Sequence, residues 1–119
     1  AEPYLVCMAL RIDAKEGGFV YSGDAGHCDE LKSLAEGAHT LLHWCYRPDG
    51  QTASPLMEKM TPTPSEISRM AKLAGIERLL LTHFRVHMDR NHILKARDVL
   101  KREFGDNGCV VEDLDVFEI

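Results

Sequence analysis

The sequence predicts an α/β fold in the order β-β-α-β-α-β-α-β. Three observations carry this expectation. The chain starts with an apolar segment of period two, two long stretches of helical periodicity occupy its second half, and a run of three leucines lies between them, as a strand covered on both faces requires. At 119 residues, 45% apolar and 28% charged, the chain has the size and composition of one domain, 1–119, with a core of its own.

Tyr4 to Asp13 places Tyr4, Val6, Met8, Leu10 and Ile12 on one face, which marks a strand. Ala14 to Gly18 turns the chain, and Phe19-Val20-Tyr21-Ser22 returns as the second strand of a hairpin. After the break at Gly23-Asp24-Ala25-Gly26, residues 27–36 carry Cys28, Leu31, Leu34 and Ala35 at helical spacing and stop at Gly37. Thr40 to Tyr46 is a third strand. Residues 47–62 are punctuated by Pro, Gly and Ser and read as a long loop.

Thr63-Pro64-Ser65-Glu66 is the clearest local signal: a Thr cap, Pro at the first helical position and Glu placed to complete a capping box. The helix it starts presents Ile67, Met70, Ala71 and Ala74 inward and ends at Gly75. Glu77 to Thr82 is the leucine-rich strand. Residues 90–104 form the last helix, with Ile93, Ala96, Arg97, Leu100 and Phe104 on one side. Terminal strands are expected at 109–111 and 116–119.

Fourteen Lys and Arg against nineteen Asp and Glu give a net charge of −5, which argues against counterion-driven binding of nucleic acid. No apolar run reaches the ~20 residues of a membrane span, and Ala1-Glu2-Pro3-Tyr4 lacks the basic start of a signal peptide, so a cytoplasmic location and no membrane partner are expected. Cys7, Cys28, Cys45 and Cys109 form no Cys-x-x-Cys pair and are expected to be reduced. Cys28 stands near a helix start without an evident partner base and reads as structural.

In α/β sheets ligands gather at the carboxyl ends of strands. Two residues fit that rule. Asp24 follows the second strand and His83 follows the leucine-rich one, giving, at what are expected to be adjacent strand ends, an oxygen and a nitrogen donor suited to zinc or a similar divalent ion. On spacing alone, the competing readings are a turn residue capping the next helix for Asp24 and a hydrogen-bonded strand-end histidine for His83, and two ligands without a sequence-local motif are weak evidence for a metal.

The series Val20-Tyr21-Ser22-Gly23-Asp24-Ala25-Gly26, Leu41-Leu42-His43, Thr63 to Gly75, Leu80-Leu81-Thr82-His83-Phe84 and Glu112-Asp113 resembles, almost end to end, the C-terminal half of metallo-β-lactamase-superfamily hydrolases, in the branch of ribonuclease Z and its arylsulfatase-like relatives. The resemblance implies half of an αββα sandwich. It also implies a binuclear metal site in which the Ser-Gly-Asp aspartate, Asp24, bridges two ions and the Leu-Thr-His histidine, His83, binds one of them. The family's His-x-His-x-Asp-His signature occurs nowhere in the 119 residues, so most of the implied site is missing. Catalytic zinc takes three protein ligands and an open position for water, and the motif positions here supply two. Where the ribonuclease Z pattern continues the strand ending at His43 into a glutamate, this chain has Trp44, and where it places a catalytic histidine this chain has Thr61. Both departures argue against tRNA processing.

His43, at a strand end, and His87, in the loop after His83, are candidates for substrate contact or for orienting a metal ligand, with a buried structural histidine as the alternative for His43. His27, His39 and His92 read as helix-end or surface residues. Trp44, Tyr46 and Met57 line either a pocket or the core. Glu112, Asp113 and Asp115 read as a charged edge or turn.

Two functions follow. One is a partial metal-dependent hydrolase that contributes the bridging Asp and one His and is inactive alone. The other is a non-catalytic α/β dimerising or binding domain derived from the same fold. A lone half-fold leaves the sheet face of Tyr4, Val6, Met8 and Leu10 without a covering layer, so either a homodimer or an N-terminal half is expected to cover it.

Overall fold

The computed structural model describes residues 7–26, 28–84 and 89–118. Five strands, β1 (Leu10–Ala14), β2 (Gly17–Tyr21), β3 (Thr40–Trp44), β4 (Arg78–Thr82) and β5 (Gly108–Val110), form one sheet in the order β1-β2-β3-β4-β5. β1 is antiparallel to β2, and all other neighbours are parallel. The parallel crossovers carry helices α1 (Asp29–Ala35), α2 (Pro55–Met60) with α3 (Pro64–Leu73), and α4 (Arg90–Glu103). This is the α/β half-sandwich that the sequence predicts, with one helix more.

The register sorts the strand residues between two faces. Val20, Leu41 and Leu79 lie side by side, as do Leu81 and Val110, and with Leu31, Ala35, Ile67, Met70, Ala71, Ala96 and Leu100 they form the core under the helices. The leucine triplet therefore serves two layers: Leu79 and Leu81 face the helices and Leu80 faces the other way. Arg11 projects to the helical side of β1, where its guanidinium donates to the carbonyls of Leu34 and Glu36 at the C-terminal end of α1.

α3 begins as its sequence requires: Thr63 accepts from the Glu66 amide, the Glu66 carboxylate accepts from the Thr63 amide, and Pro64 occupies the first turn. α4 has the same reciprocal cap built from Asp89 and His92. The residues between the third strand and α3 depart from expectation. Ser54 caps Met57, Pro55 starts a helix, and α2 forms inside what reads as loop. Its side chains are not buried, so no apolar periodicity announces it. Arg47 is 9% exposed and ties this region down, donating from Nε to the Thr61 carbonyl and hydroxyl, from Nη1 to the Gln51 carbonyl, and pairing through Nη2 with Glu66 at 3.4 Å.

Two strand expectations are corrected. β1 starts at Leu10, not at Tyr4: residues 4–6 lie outside the described residues, and 7–9 run past the end of β2, where the edge strand has no further partner. No strand forms over 116–118. Instead Phe117 lies over the Arg78 guanidinium, which donates to the Glu118 carbonyl, so the segment folds across the sheet instead of extending it. All four cysteines are free thiols.

Cys45, fully buried after β3, has its pKa pushed up to about 12, first by desolvation and then by the Asp49 charge. An ordinary thiol ionises near pH 9, so the unfolded chain deprotonates first. The contribution is complete below pH 9 and is lost as pH rises from 9 toward 12, by at most about 4 kcal/mol. Urea midpoints measured across this window are expected to fall more steeply for the natural chain than for Cys45→Ala, and equal slopes would contradict the burial of this thiol.

Candidate metal half-site

β2, β3 and β4 run in parallel, so their chain exits lie at one sheet edge. Beyond β2, Ser22 is fully buried. Its amide donates to the Leu42 carbonyl, its hydroxyl accepts from the Trp44 amide at 3.0 Å, and that hydroxyl donates to the Gly23 carbonyl. Gly23 adopts φ +57, and a Cβ there would collide with the Met8 carbonyl oxygen, so glycine answers both the backbone conformation and the close approach. The turn delivers Asp24 back over the end of β3.

From the other side, β4 ends at Thr82 and the chain turns through His83 at φ +60, a left-handed conformation uncommon outside glycine. Such backbone persists where the surroundings over-determine it. Here the result is a contact between His83 Nδ1 and Asp24 Oδ1 at 3.1 Å. Both side chains are about half exposed, 54% and 52%. With the carboxylate oxygen accepting, Nδ1 is the donor, and Nε2 is the ring nitrogen turned away from Asp24.

The pair expected from sequence is therefore brought together, with one correction. Asp24 and His83 do not end adjacent strands, because β3 lies between β2 and β4. Trp44, the last residue of β3, lies beside the pair. Its indole N–H donates to the Ala25 carbonyl at 2.7 Å and its ring lies 5.8 Å from that of His83, centroid to centroid.

His43 is placed differently from its neighbours at this edge. Strand alternation turns it to the helical side with Leu41, 1% exposed, and its Nδ1–H donates to the Trp44 carbonyl. His87 and His27 lie outside the described residues. His39 pairs with Glu77, and His92 belongs to the α4 cap. Thr61, at the position of the family's histidine, is an acceptor for Arg47. Met57 is exposed on α2, while Trp44 packs on Tyr46 at 5.6 Å. Glu112 pairs with Arg97, and Asp115 accepts from the Glu112 amide. Trp44 is the site residue that sequence reasoning left undecided between pocket and core. Its signal was its place next to His43 at the end of a strand flanked by two candidate-bearing strands.

Among the described residues no three His, Cys, Asp or Glu side chains converge as a metal site. The Asp and His donors match the chemistry of a divalent ion but fall one short of the three protein ligands that catalytic zinc takes. No helix of the described residues is long and apolar enough to cross a membrane.

The α/β half-sandwich is shared with part of each of several metallo-β-lactamase-fold proteins. The crystal structure of the metallo-β-lactamase-fold protein YhfI of Bacillus subtilis superposes with a TM-score of 0.80 at 25% identity, over 97% of this chain and 45% of that one. Human short-form tRNase Z shares the fold, with a TM-score of 0.65 over 93% of this chain and 38% of that one at 24% identity. In sequence, the chain is 36% identical over 106 residues to ribonuclease Z of Methanosarcina acetivorans, covering 84% of this chain and 32% of that protein. It is 33% identical over 114 residues to an uncharacterised protein of Mycobacterium leprae, covering 92% and 37%. No family model matches the chain. The chain is a partial domain of the metallo-β-lactamase superfamily, and it spans about a third of the length of the curated relatives it matches.

Two substitutions probe the frame of this site. Ser22→Ala leaves the Trp44 amide without its buried acceptor and is expected to cost about 1–3 kcal/mol in urea unfolding. Gly23→Ala sets a Cβ against the Met8 carbonyl at positive φ and is expected to cost at least as much as the ~1–3 kcal/mol of such backbone strain, with loss of the Asp24–His83 contact by NMR. A Gly23→Ala chain as stable as the natural one would contradict the turn described.

Proposed function

We propose that this chain is the C-terminal half of a metal-dependent hydrolase, supplying Asp24 and His83 to a site that a companion segment completes. The observation that carries the reading is the 3.1 Å contact of these side chains across the end of β3, at the strand ends where α/β sheets place ligands. Asp24 offers carboxylate oxygens and His83 its Nε2, donors suited to zinc or a similar divalent ion. Such an ion, when bound, supplies an activated water near neutral pH. The chain's own part is to hold the two donors in register.

The bare sheet face supports the need for a companion. Met8, Leu10 and Ile12 stand 69%, 55% and 63% exposed on one side of β1 and the segment before it, whereas Thr40 and Leu80, on the same face farther along the sheet, are buried. An N-terminal half covering this face also accounts for the share of YhfI that the chain leaves unmatched. A second copy is the alternative, and it corresponds to the non-catalytic dimerising domain. Either interface should bury more than ~1,000 Å².

The purified 119-residue chain is expected to show no zinc-dependent turnover of bis(p-nitrophenyl) phosphate. A chain extended upstream through a His-x-His-x-Asp-His segment is expected to turn over, and to lose more than the ~10- to 100-fold typical of outer-shell changes on Asp24→Asn or His83→Ala. Turnover by the short chain that His83→Ala abolishes would overturn the half-site. In sedimentation equilibrium the short chain is expected to exceed its 13.4 kDa monomer mass, and the double substitution Leu10→Lys with Ile12→Lys to restore the monomer. A clean monomer without substitution would mean that the face needs no cover.

A further inference from the structure

One side chain touches both halves of the candidate site. Trp44 is only 8% exposed, and its backbone is pinned on both sides of β3: its amide donates to the Ser22 hydroxyl, and the next amide, of Cys45, donates to the Thr82 carbonyl at 2.8 Å. Thus the segment after β2 is tied to Trp44 itself and the last residue of β4 to its chain neighbour Cys45. Beyond the backbone, the indole N–H holds the carbonyl of Ala25, the residue after Asp24, while the ring packs beside the His83 imidazole at an interplanar angle of 43°. Tyr46 flanks the indole at 5.6 Å, centroid to centroid.

We infer that Trp44 is a positioning residue for Asp24 and His83, and the inference rests on the reading of these two as metal ligands. Both ligands are half exposed and would otherwise sample several rotamers, with a loss of conformational freedom each time an ion bound. The indole reduces that loss from both directions. Its donor fixes the turn that carries the carboxylate, and its face limits the swing of the imidazole. A residue that neither ionises nor ligates thus adds to the restraint that the pair's own hydrogen bond supplies. Trp44 is also the only tryptophan of the chain, so its emission reports on this site alone.

The test uses the full chain with Trp44→Phe, which keeps a ring and loses the N–H, and Trp44→Leu, which loses both. In metal-free protein, long-range ¹H–¹⁵N spectra of the histidines are expected to show His83 held as the Nδ1–H form in the natural chain, partly released in Trp44→Phe and fully averaged in Trp44→Leu. Cobalt(II) chloride is then titrated by calorimetry, with affinity expected to fall about 10- to 100-fold in Trp44→Phe, the range for residues that orient a ligand. In the natural chain the same titration is expected to quench the tryptophan emission, and Asp24→Asn to remove the quenching. If Trp44→Leu fails to fold, Trp44→Phe and the quenching decide. Unchanged His83 spectra and cobalt affinity in Trp44→Phe would overturn the positioning role. If the natural chain binds no cobalt while Trp44→Phe still releases His83, the metal-ligand reading fails and the positioning of the pair stands.

Discussion

The site depends on the parallel register of β2, β3 and β4. Parallel strands exit on one side, so Ser22, Trp44 and Thr82 reach the same edge, and bonds from Trp44 and Cys45 carry the pairing past the ends of the strands. A shift of one residue in either pairing would send Trp44 to the helical side and separate Asp24 from His83. The core opposes such a shift, because Val20, Leu41, Leu79 and Leu81 would exchange burial for exposure. Hydrophobic burial on one face thus fixes the geometry of polar groups at the edge.

A second constraint lies outside the sheet. The connection from β3 to α3 is long and has few apolar anchors, and a buried guanidinium substitutes for them. Arg47 joins Gln51, Thr61 and Glu66 in one network, and Glu66 is also the acidic member of the α3 capping box. The charge is tolerated in this buried position because carbonyls and a carboxylate surround it. The position where related hydrolases are expected to carry a histidine is occupied by Thr61, which here anchors that network.

The legible parts of the molecule were those encoded locally. The Thr63 cap, the leucine triplet and the glycine break before Asp24 each correspond to a feature of the structure, and the pairing of Asp24 with His83 followed from strand-end placement. The illegible parts lack a local apolar pattern or depend on contacts distant in sequence. α2 has a capped start but no buried face, so periodicity could not reveal it. The missing strand at 116–118 has a strand-like sequence, yet Arg78, some 40 positions earlier, draws Phe117 and Glu118 across the sheet. His43 reads from sequence either as a site residue or as a buried structural histidine, and the alternation counted from Leu41 turns it toward the helices, 1% exposed.

The same alternation gives the sheet two unequal faces. The helical side is complete, with its apolar residues buried and the carbonyls at the end of α1 satisfied by Arg11. On the opposite side, the C-terminal segment crosses over Arg78 and shares the lining of a cavity with Phe19, Leu42 and Leu80, while Leu10 and Ile12 at the β1 edge are exposed. Exposed apolar residues on an unpaired edge strand favour association. The half-covered face is the one toward which Trp44 also points, by the alternation Thr40, Leu42, Trp44 along β3. A layer docking over Leu10 and Ile12 would therefore close over the side of the sheet that carries Trp44, beneath the Asp24–His83 pair. If the proposed companion segment docks there, it would complete the fold and the site together.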